Sequence, residues 1–319
     1  MLTPTLTQMA ILASFILIGF TVARLGVVPK DASRVLSKLE NTVFIPALVL
    51  GNFYHHFTRE KLEVAGGLLL FSILLSLLLL ALAHPLARCL ARDPFVRRIT
   101  IYGLAFPNFG FMGLPLMAAL FPQYNLEYII YTLPLWTLIY VYGTPFLLME
   151  TREGEERSLR SLFKNLVNPM FIALLIGAVL GIAEIPFPSA VETVFVTVVD
   201  TCGSCMSPVA MMITGIAFAS MSFGDVLKNR TLYLATALRL LVIPFAVGGL
   251  LLLLRHFTPL PISDAMYVCA VCELAMPLGL STVVVPSAYG RDPSVAAGMA
   301  LVSHALSAAT LPLVLTVLL

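Results

Sequence analysis

Apolar runs of about 20 residues recur along the chain, and this is the length that an α-helix needs to cross a membrane. Charged residues make up only 11% of the 319 residues, less than half of the roughly 25% usual in soluble domains. The mean hydropathy is correspondingly high, at +0.97. The sequence therefore predicts an all-α polytopic protein whose partner is the lipid bilayer.

Ten transmembrane helices are predicted. The first has no basic segment before it and is longer than the apolar core of a cleaved signal, so we expect it to be retained. The predicted spans are Leu6–Leu25, Leu36–Tyr54, Val64–Leu82, Arg98–Leu120, Tyr128–Met149, Pro169–Ala183, Val191–Met221, Leu232–Leu254, Ala265–Tyr289 and Val295–Leu318.

The distribution of positive charge predicts the orientation of the chain. Of the 19 Lys and Arg residues, three lie in the even-numbered loops (Arg59, Lys61 and Arg255) and Arg239 lies inside a span, which leaves fifteen in the odd-numbered loops. Because Lys and Arg are enriched in cytoplasmic loops, we expect the odd loops to be cytoplasmic. Both termini are then extracytoplasmic, in a multi-pass protein of the cell (inner) membrane.

The longest polar segment divides the ten spans into two sets of five. It predicts a first five-helix repeat over residues 1–149, a cytoplasmic linker over 150–167 and a second repeat over 168–319. Since five is odd, two similar halves would cross the membrane in opposite orientations, as in transporters with inverted repeats. Weak internal similarity favours this arrangement, for example Pro46 in the second span and Pro208 in the seventh.

The fourth span is expected to be broken. Two prolines and two glycines lie within nine residues of it, and proline removes a backbone donor and clashes with the preceding turn. Freed backbone groups at membrane depth are tolerated only inside protein or along a cavity, so the break indicates a binding site. The breakers are Pro107, Gly110, Gly113 and Pro115, with Asn108 among them.

The ninth span carries the matching interruption in the second half. Pro277, Gly279 and Pro286 break its apolar run, and Glu273 lies one turn before Pro277. Interrupted helices at corresponding positions of two halves are typical of a transporter's binding site, where half-helix ends meet near the midplane.

Glu273 and Asn108 are the main candidate functional residues. An ionised carboxylate at membrane depth costs roughly 2.5–3.5 kcal/mol or more, so Glu273 either binds a coupling Na+ or H+ or accepts bonds from backbone amides freed at the break. Asn108 can donate to a substrate carboxylate or contact an ion; the alternative is a local bond that closes the turn after Pro107.

Three further polar residues inside spans are weaker candidates. Asp200 either faces the cavity or lies near a helix end, and Asn41 is expected to bond a neighbouring helix. His304 either relays a proton or bonds another helix.

The sequence contains no signature of an enzyme. It has no G-x-x-x-x-G-K-[ST] phosphate loop and no H-E-x-x-H, and its scattered basic residues do not predict nucleic-acid binding. Two C-x-x-C pairs lie in apolar helices, where free cysteines behave as small buried hydrophobes. We expect no metal beyond Na+ at Glu273, and no cofactor.

The segment FPNFGFMGLPL, residues 106–116, resembles the fourth-helix signature of the auxin efflux carrier family, the PIN-like transporters. Asn168-Pro169 with the apolar run after it resembles the start of that family's second half. The last two spans, from Met276-Pro277 to Pro312, resemble its carboxyl end. The short central loop places the resemblance with compact prokaryotic members.

This resemblance implies a ten-helix inverted repeat related to the bile acid:sodium symporters. Spans 1, 2, 6 and 7 would form a scaffold, and spans 3–5 and 8–10 a transport domain moving as an elevator. Glu273 matches the acidic Na+ ligand of the wider fold. The substrate would bind at the crossing of the two breaks, around Asn108, Pro107, Phe109, Gly110, Pro115, Met276 and Pro277.

The expected function is secondary transport of small organic anions, namely carboxylates, with Na+ or H+ as coupling ion. Two alternatives remain open: a bile-acid-like sodium symporter, and a non-transporting membrane receptor that uses the same pocket. A homodimer is also expected, because Gly177 and Gly181 form a G-x-x-x-G motif that suits close helix packing, although the same spacing serves packing inside one subunit.

Overall fold

The computed structural model describes residues 2–29, 31–149, 167–185, 187–219, 230–289 and 294–319. These residues form helices joined by short turns, with no β-strand among them. The α-helices are α1 (Leu2–Arg24), α2 (Ala32–Leu39), α3 (Ile45–His56), α4 (Arg59–Leu90), α5 (Pro94–Ala105), α6 (Leu114–Leu120), α7 (Asn125–Leu138), α8 (Pro169–Ala183), α9 (Ser189–Ser204), α10 (Met206–Ala219), α11 (Arg230–Ala237), α12 (Gly249–Phe257), α13 (Asp264–Ala275), α14 (Ser281–Ala288) and α15 (Ser294–Leu318).

Helices occupy each stretch predicted as a span, as far as those stretches are described. Five helical stretches are long and apolar enough to cross a membrane: Leu6–Arg24, Ala65–Leu90, Ser189–Ala219, Arg230–Phe257 and Val295–Leu318. This supports the class of polytopic helical membrane protein. Ten crossings in two inverted halves stay a prediction, and the predicted linker lies outside the described residues except for its last residue.

The third span is longer than its hydropathy indicated. It was predicted to end at Leu82, but α4 has 32 residues and continues through Pro85. At about 1.5 Å per residue it is about 48 Å long, which exceeds the roughly 30 Å hydrocarbon core. The helix therefore tilts or extends beyond the apolar layer.

Prolines explain the wide π-helical turns that interrupt several spans. A proline ring clashes with the carbonyl four residues before it and offers no N–H, so the turn that precedes it widens. Three π-turns of the described residues end two residues before a proline, a fourth contains one and a fifth begins with one. These turns are Glu40–Phe44 before Pro46, Phe109–Gly113 before Pro115, Leu238–Val242 before Pro244, Ile139–Leu148 around Pro145, and Pro244–Gly248.

Two groups of helices pack closely. In one group, α1 lies along α10, and α3 lies along α8 and α9. In the other group, α4 packs on α5 and α7, and α15 packs on α11 and α13. The first group contains the four spans that the family resemblance assigns to a scaffold. Movement of the second group against it stays a prediction.

The G-x-x-x-G motif in α8 is used inside the chain. A Cβ atom at Gly177 would lie 2.8 Å from the Leu50 carbonyl oxygen, and one at Gly181 would lie 2.7 Å from the Phe53 carbonyl oxygen. Both glycines therefore let α8 approach the α3 backbone. The motif gives no support to the expected homodimer, which stays a prediction.

Candidate functional site

The two interrupted spans meet at their breaks. Helix α5 ends at Ala105 and helix α13 ends at Ala275, and an extended residue follows each end. Pro107 and Leu278 form an isolated antiparallel bridge, in which the Asn108 N–H donates to the Pro277 carbonyl at 2.8 Å. The structure thus brings together two segments that are about 170 residues apart in sequence. We call this contact the crossing.

Small residues allow the two backbones to touch. A Cβ atom at Gly279 would lie 2.8 Å from the Phe106 carbonyl oxygen, which belongs to the other break. The second break is also held by α15, because the Leu278 N–H donates to the Ser303 hydroxyl at 2.8 Å. Each break therefore has partners for backbone groups that a continuous helix would have satisfied internally.

Arg239 satisfies the carbonyl ends of both broken helices. Its side chain is fully buried, and Nη1 donates to the Leu104 carbonyl of α5 at 3.1 Å. Its other nitrogens reach the last turn of α13: Nη2 donates to the Glu273 carbonyl at 2.8 Å and to the Leu274 carbonyl at 3.2 Å, and Nε donates to the Met276 carbonyl at 3.0 Å. A cation at two helix carboxyl ends is electrostatically favourable.

Glu273 is fully buried beside the second break. Its Oε2 accepts a hydrogen bond from the Tyr131 hydroxyl, and its Oε1 has no hydrogen-bond partner in the described part of the chain. The backbone carbonyl of Tyr131 in turn accepts from the Ser72 hydroxyl at 2.6 Å. The carboxylate is thus held by a side-chain hydroxyl, which differs from the expected alternative of freed backbone amides.

Asn108 begins the second half of the fourth span, and its side chain points to α15. The Asn108 amide nitrogen lies 2.8 Å from Nε2 of His304, whose Nδ1 lies 2.8 Å from the Ala300 carbonyl. Because a carbonyl only accepts, Nδ1 carries the ring proton and Nε2 accepts from Asn108. The Asn108 side chain thus bonds another helix instead of closing the local turn, and His304 makes the bond to another helix that was one of its two alternatives.

A cavity of about 330 Å³ lies beside the first break, between α1 and α15. Its lining side chains in the described residues are apolar, apart from His304. Met112, from the π-turn after Asn108, forms part of the same wall. His304 therefore supplies the polar edge of an otherwise apolar space, and Asn108 is joined to that edge by its hydrogen bond to His304.

The remaining predicted residues of the first break serve packing. The Phe109 ring packs edge-on against Trp136, with 4.8 Å between the ring centroids. A Cβ atom at Gly110 would lie 2.7 Å from the same Trp136 ring. Pro115 is half-buried in the first turn of α6, where proline needs no N–H partner.

Two weaker candidates lie away from this pair. Asp200 is exposed, and its carboxylate lies 3.3 Å from Nε2 of His55. Asn41 is buried, and its amide donates to the Ser37 carbonyl at 2.8 Å and to the Val284 carbonyl of α14 at 3.4 Å. Asn41 thus makes the helix-to-helix bond that was expected of it.

Sequence reasoning missed Arg239, Tyr131 and Glu40 as members of buried polar sites. Arg239 was set aside as one charge inside a span, although an ionisable residue at membrane depth is itself a functional signal. Glu40 gave the same signal: it is fully buried in a π-turn, and neither of its carboxylate oxygens has a partner in the described residues. Tyr131 gave no signal beyond its place in an apolar run.

The comparisons with known proteins give one match. A family whose model is described as membrane transport protein matches residues 4–315, nearly the whole chain. A search of curated proteins finds no match. The family match confirms the resemblance drawn from the fourth and ninth spans, and it indicates a transporter instead of an enzyme.

Proposed function

Since the chain belongs to the membrane transport protein family, the auxin efflux carrier-like family, we propose that it is a secondary transporter of small organic anions of the carboxylate class. The observation that carries the proposal is the crossing, where Asn108 bonds His304 and His304 lines a cavity. Interrupted helices that meet beside a cavity are the usual construction of a carrier's substrate site.

Asn108 is the proposed ligand of the substrate carboxylate. Its amide nitrogen has two N–H groups, and His304 Nε2 accepts one of them. The second N–H is a donor at the start of a helix, where the backbone dipole also favours an anion. An apolar cavity with one polar edge suits an anion that carries a single charged group on a small body.

Glu273 is the proposed coupling residue, for Na+ or H+. It is the acidic residue at the crossing, and one of its carboxylate oxygens has no partner among the described residues. An acid at this depth is a candidate for ion or proton binding. The proposed movement is an elevator, in which α4–α7 and α11–α15 slide against α1–α3 and α8–α10.

Uptake into proteoliposomes tests the proposal. Purified protein is reconstituted and supplied with radiolabelled acetate, pyruvate, succinate and benzoate, with and without Na+ and at acidic and alkaline pH. We expect uptake of at least one carboxylate above empty liposomes. Uptake of a labelled bile acid with Na+ and of no small carboxylate would identify the bile-acid-like alternative. No flux of any anion under any gradient would favour a receptor.

A further inference from the structure

The crossing contains a cation that belongs to the protein. Arg239 is the one Lys or Arg side chain that is fully buried among the described residues. Four backbone carbonyls accept from its guanidinium, at 2.8–3.2 Å, and they come from the carboxyl ends of both broken helices. Each of the three guanidinium nitrogens therefore donates to a carbonyl at one of the two breaks.

These carbonyls are the groups that a coupling Na+ would need. In carriers with broken helices, unwound carbonyls and the carboxyl ends of half-helices coordinate the Na+. Here the Glu273, Leu274 and Met276 carbonyls already accept from guanidinium N–H groups. A Na+ in the same place would have to displace these hydrogen bonds.

The charge of Arg239 acts in the same direction. A guanidinium stays protonated in proteins, so its positive charge is permanent at the crossing. The negative ends of two helix dipoles and the nearby Glu273 carboxylate would otherwise attract a cation from solution. Arg239 supplies the positive charge that these negative groups attract, and it would repel a second cation at contact distance.

We propose that Arg239 is a resident cation that takes the place of a coupling Na+, so that the crossing binds no Na+, the proposed coupling at Glu273 is with H+, and the anion moves independently of a Na+ gradient. The statement about binding stands on the contacts alone. The statement about movement rests on the proposed function. The two statements are tested separately.

Thermal unfolding of the purified protein tests the binding statement. A cation that binds the folded state raises its melting temperature in a saturable way. We expect the wild type to melt at the same temperature in NaCl, KCl and choline chloride of equal ionic strength. A saturable rise specific to NaCl would overturn the proposal.

Arg239→Ala then tests whether the carbonyl site needs a cation. We expect this variant to melt lower than the wild type and to regain much of the loss in millimolar methylguanidinium chloride, a probe of the same shape and charge. Arg255→Ala is the matched control, because Arg255 lies in the same span and pairs with the exposed Asp264. Methylguanidinium should not restore that variant, and equal effects on both variants would contradict the proposal.

Arg239→Lys covers the case in which the alanine variant does not fold. Lysine keeps the charge but has fewer donors, so we expect a melting temperature between those of the wild type and a variant without charge, still insensitive to NaCl. A Na+-dependent rise in Arg239→Lys would contradict the proposal.

Transport tests the second statement. Uptake of the accepted carboxylate should proceed at the same initial rate with an inward Na+ gradient and with choline in its place. Uptake that needs Na+ would overturn this inference and leave the proposed function intact. Absence of any uptake would contradict the proposed function, while the melting measurements would still decide whether Arg239 occupies the cation site.

Discussion

The two breaks at the crossing are built from different chemistry. The first break presents uncharged polar groups, Asn108 and its partner His304, beside an apolar cavity. The second break contains charged groups: the Glu273 carboxylate accepts a hydrogen bond from Tyr131, and backbone carbonyls at the end of α13 accept from Arg239. Matching prolines in two halves therefore do not produce matching sites.

This difference in chemistry suits the first break to the proposed ligand binding and the second break to structural support. A site that binds and releases an anion needs donors whose partners are easily exchanged, and the Asn108–His304 hydrogen bond is one neutral bond. The second break instead uses three charge-assisted bonds from Arg239, each of which is worth roughly twice a neutral bond, while the fourth Arg239 bond goes to Leu104 beside the first break. We therefore expect loss of the Arg239 bonds to affect stability and changes at Asn108 to affect transport.

Arg239→Met should have the largest effect on stability. It keeps an apolar stem but leaves four buried carbonyls without a donor, and each buried acceptor left unsatisfied costs about 1–3 kcal/mol. The melting temperature in detergent measures this loss. The exposed Arg255–Asp264 pair is the control, and Arg255→Met should cost at most about 1 kcal/mol. Equal losses would contradict the contrast between the breaks.

Gly279→Ala should have the next largest effect. The new methyl group would press on the Phe106 carbonyl oxygen, and overpacking of this kind costs about 1–3 kcal/mol. Gly249→Ala is the matched control, because no atom lies within 4 Å of a Cβ atom at that position. Melting temperatures should therefore fall more for Gly279→Ala. The opposite order would indicate that the two backbones do not touch at this point.

Glu273→Gln should alter coupling more than folding. The amide oxygen can still accept from Tyr131, so the melting temperature should change little, while uptake should lose its dependence on a proton gradient. We expect at least a tenfold fall in uptake driven by that gradient, about 1.4 kcal/mol. Unchanged uptake with unchanged ion dependence would remove the coupling role from Glu273.

Pro115→Ala should have the smallest effect of the substitutions considered. Pro115 lies in the first turn of α6, where its missing N–H needs no partner, and it is half-buried. We expect a change within about 0.5 kcal/mol in stability and wild-type uptake. A large loss of uptake would support the expectation, drawn from the family resemblance, that Pro115 contributes to the substrate site.

The sequence predicted the two breaks because they follow from local chemistry. Pro107 and Pro277 each remove a backbone donor and clash with the preceding turn, which disfavours a continuous helix. The partners of the breaks depend on tertiary contacts and could not be predicted in the same way. His304 is 196 residues from Asn108, and Arg239 is 135 residues from Leu104. No periodicity or spacing reports contacts at such separations.

The same limit explains why several residues predicted for the dimer interface or the substrate site pack against other parts of the same chain. Gly177 and Gly181 correctly predicted close helix packing, but the sequence could not say that α3 of the same chain is the neighbour. Phe109 and Gly110 lie in the interrupted segment but face Trp136. Membership in a broken helix thus located the crossing without showing which side chains border the cavity.

Uptake by Asn108→Ala, compared with Asn41→Ala, tests the central claim most directly. Both variants remove a buried amide that bonds a neighbouring helix, but only Asn108 lies at the crossing. In proteoliposomes with a radiolabelled carboxylate that the wild type takes up, we predict a loss of at least about tenfold for Asn108→Ala and near wild-type uptake for Asn41→Ala, at similar melting temperatures. Equal uptake by the two variants would contradict the assignment of the first break to the substrate.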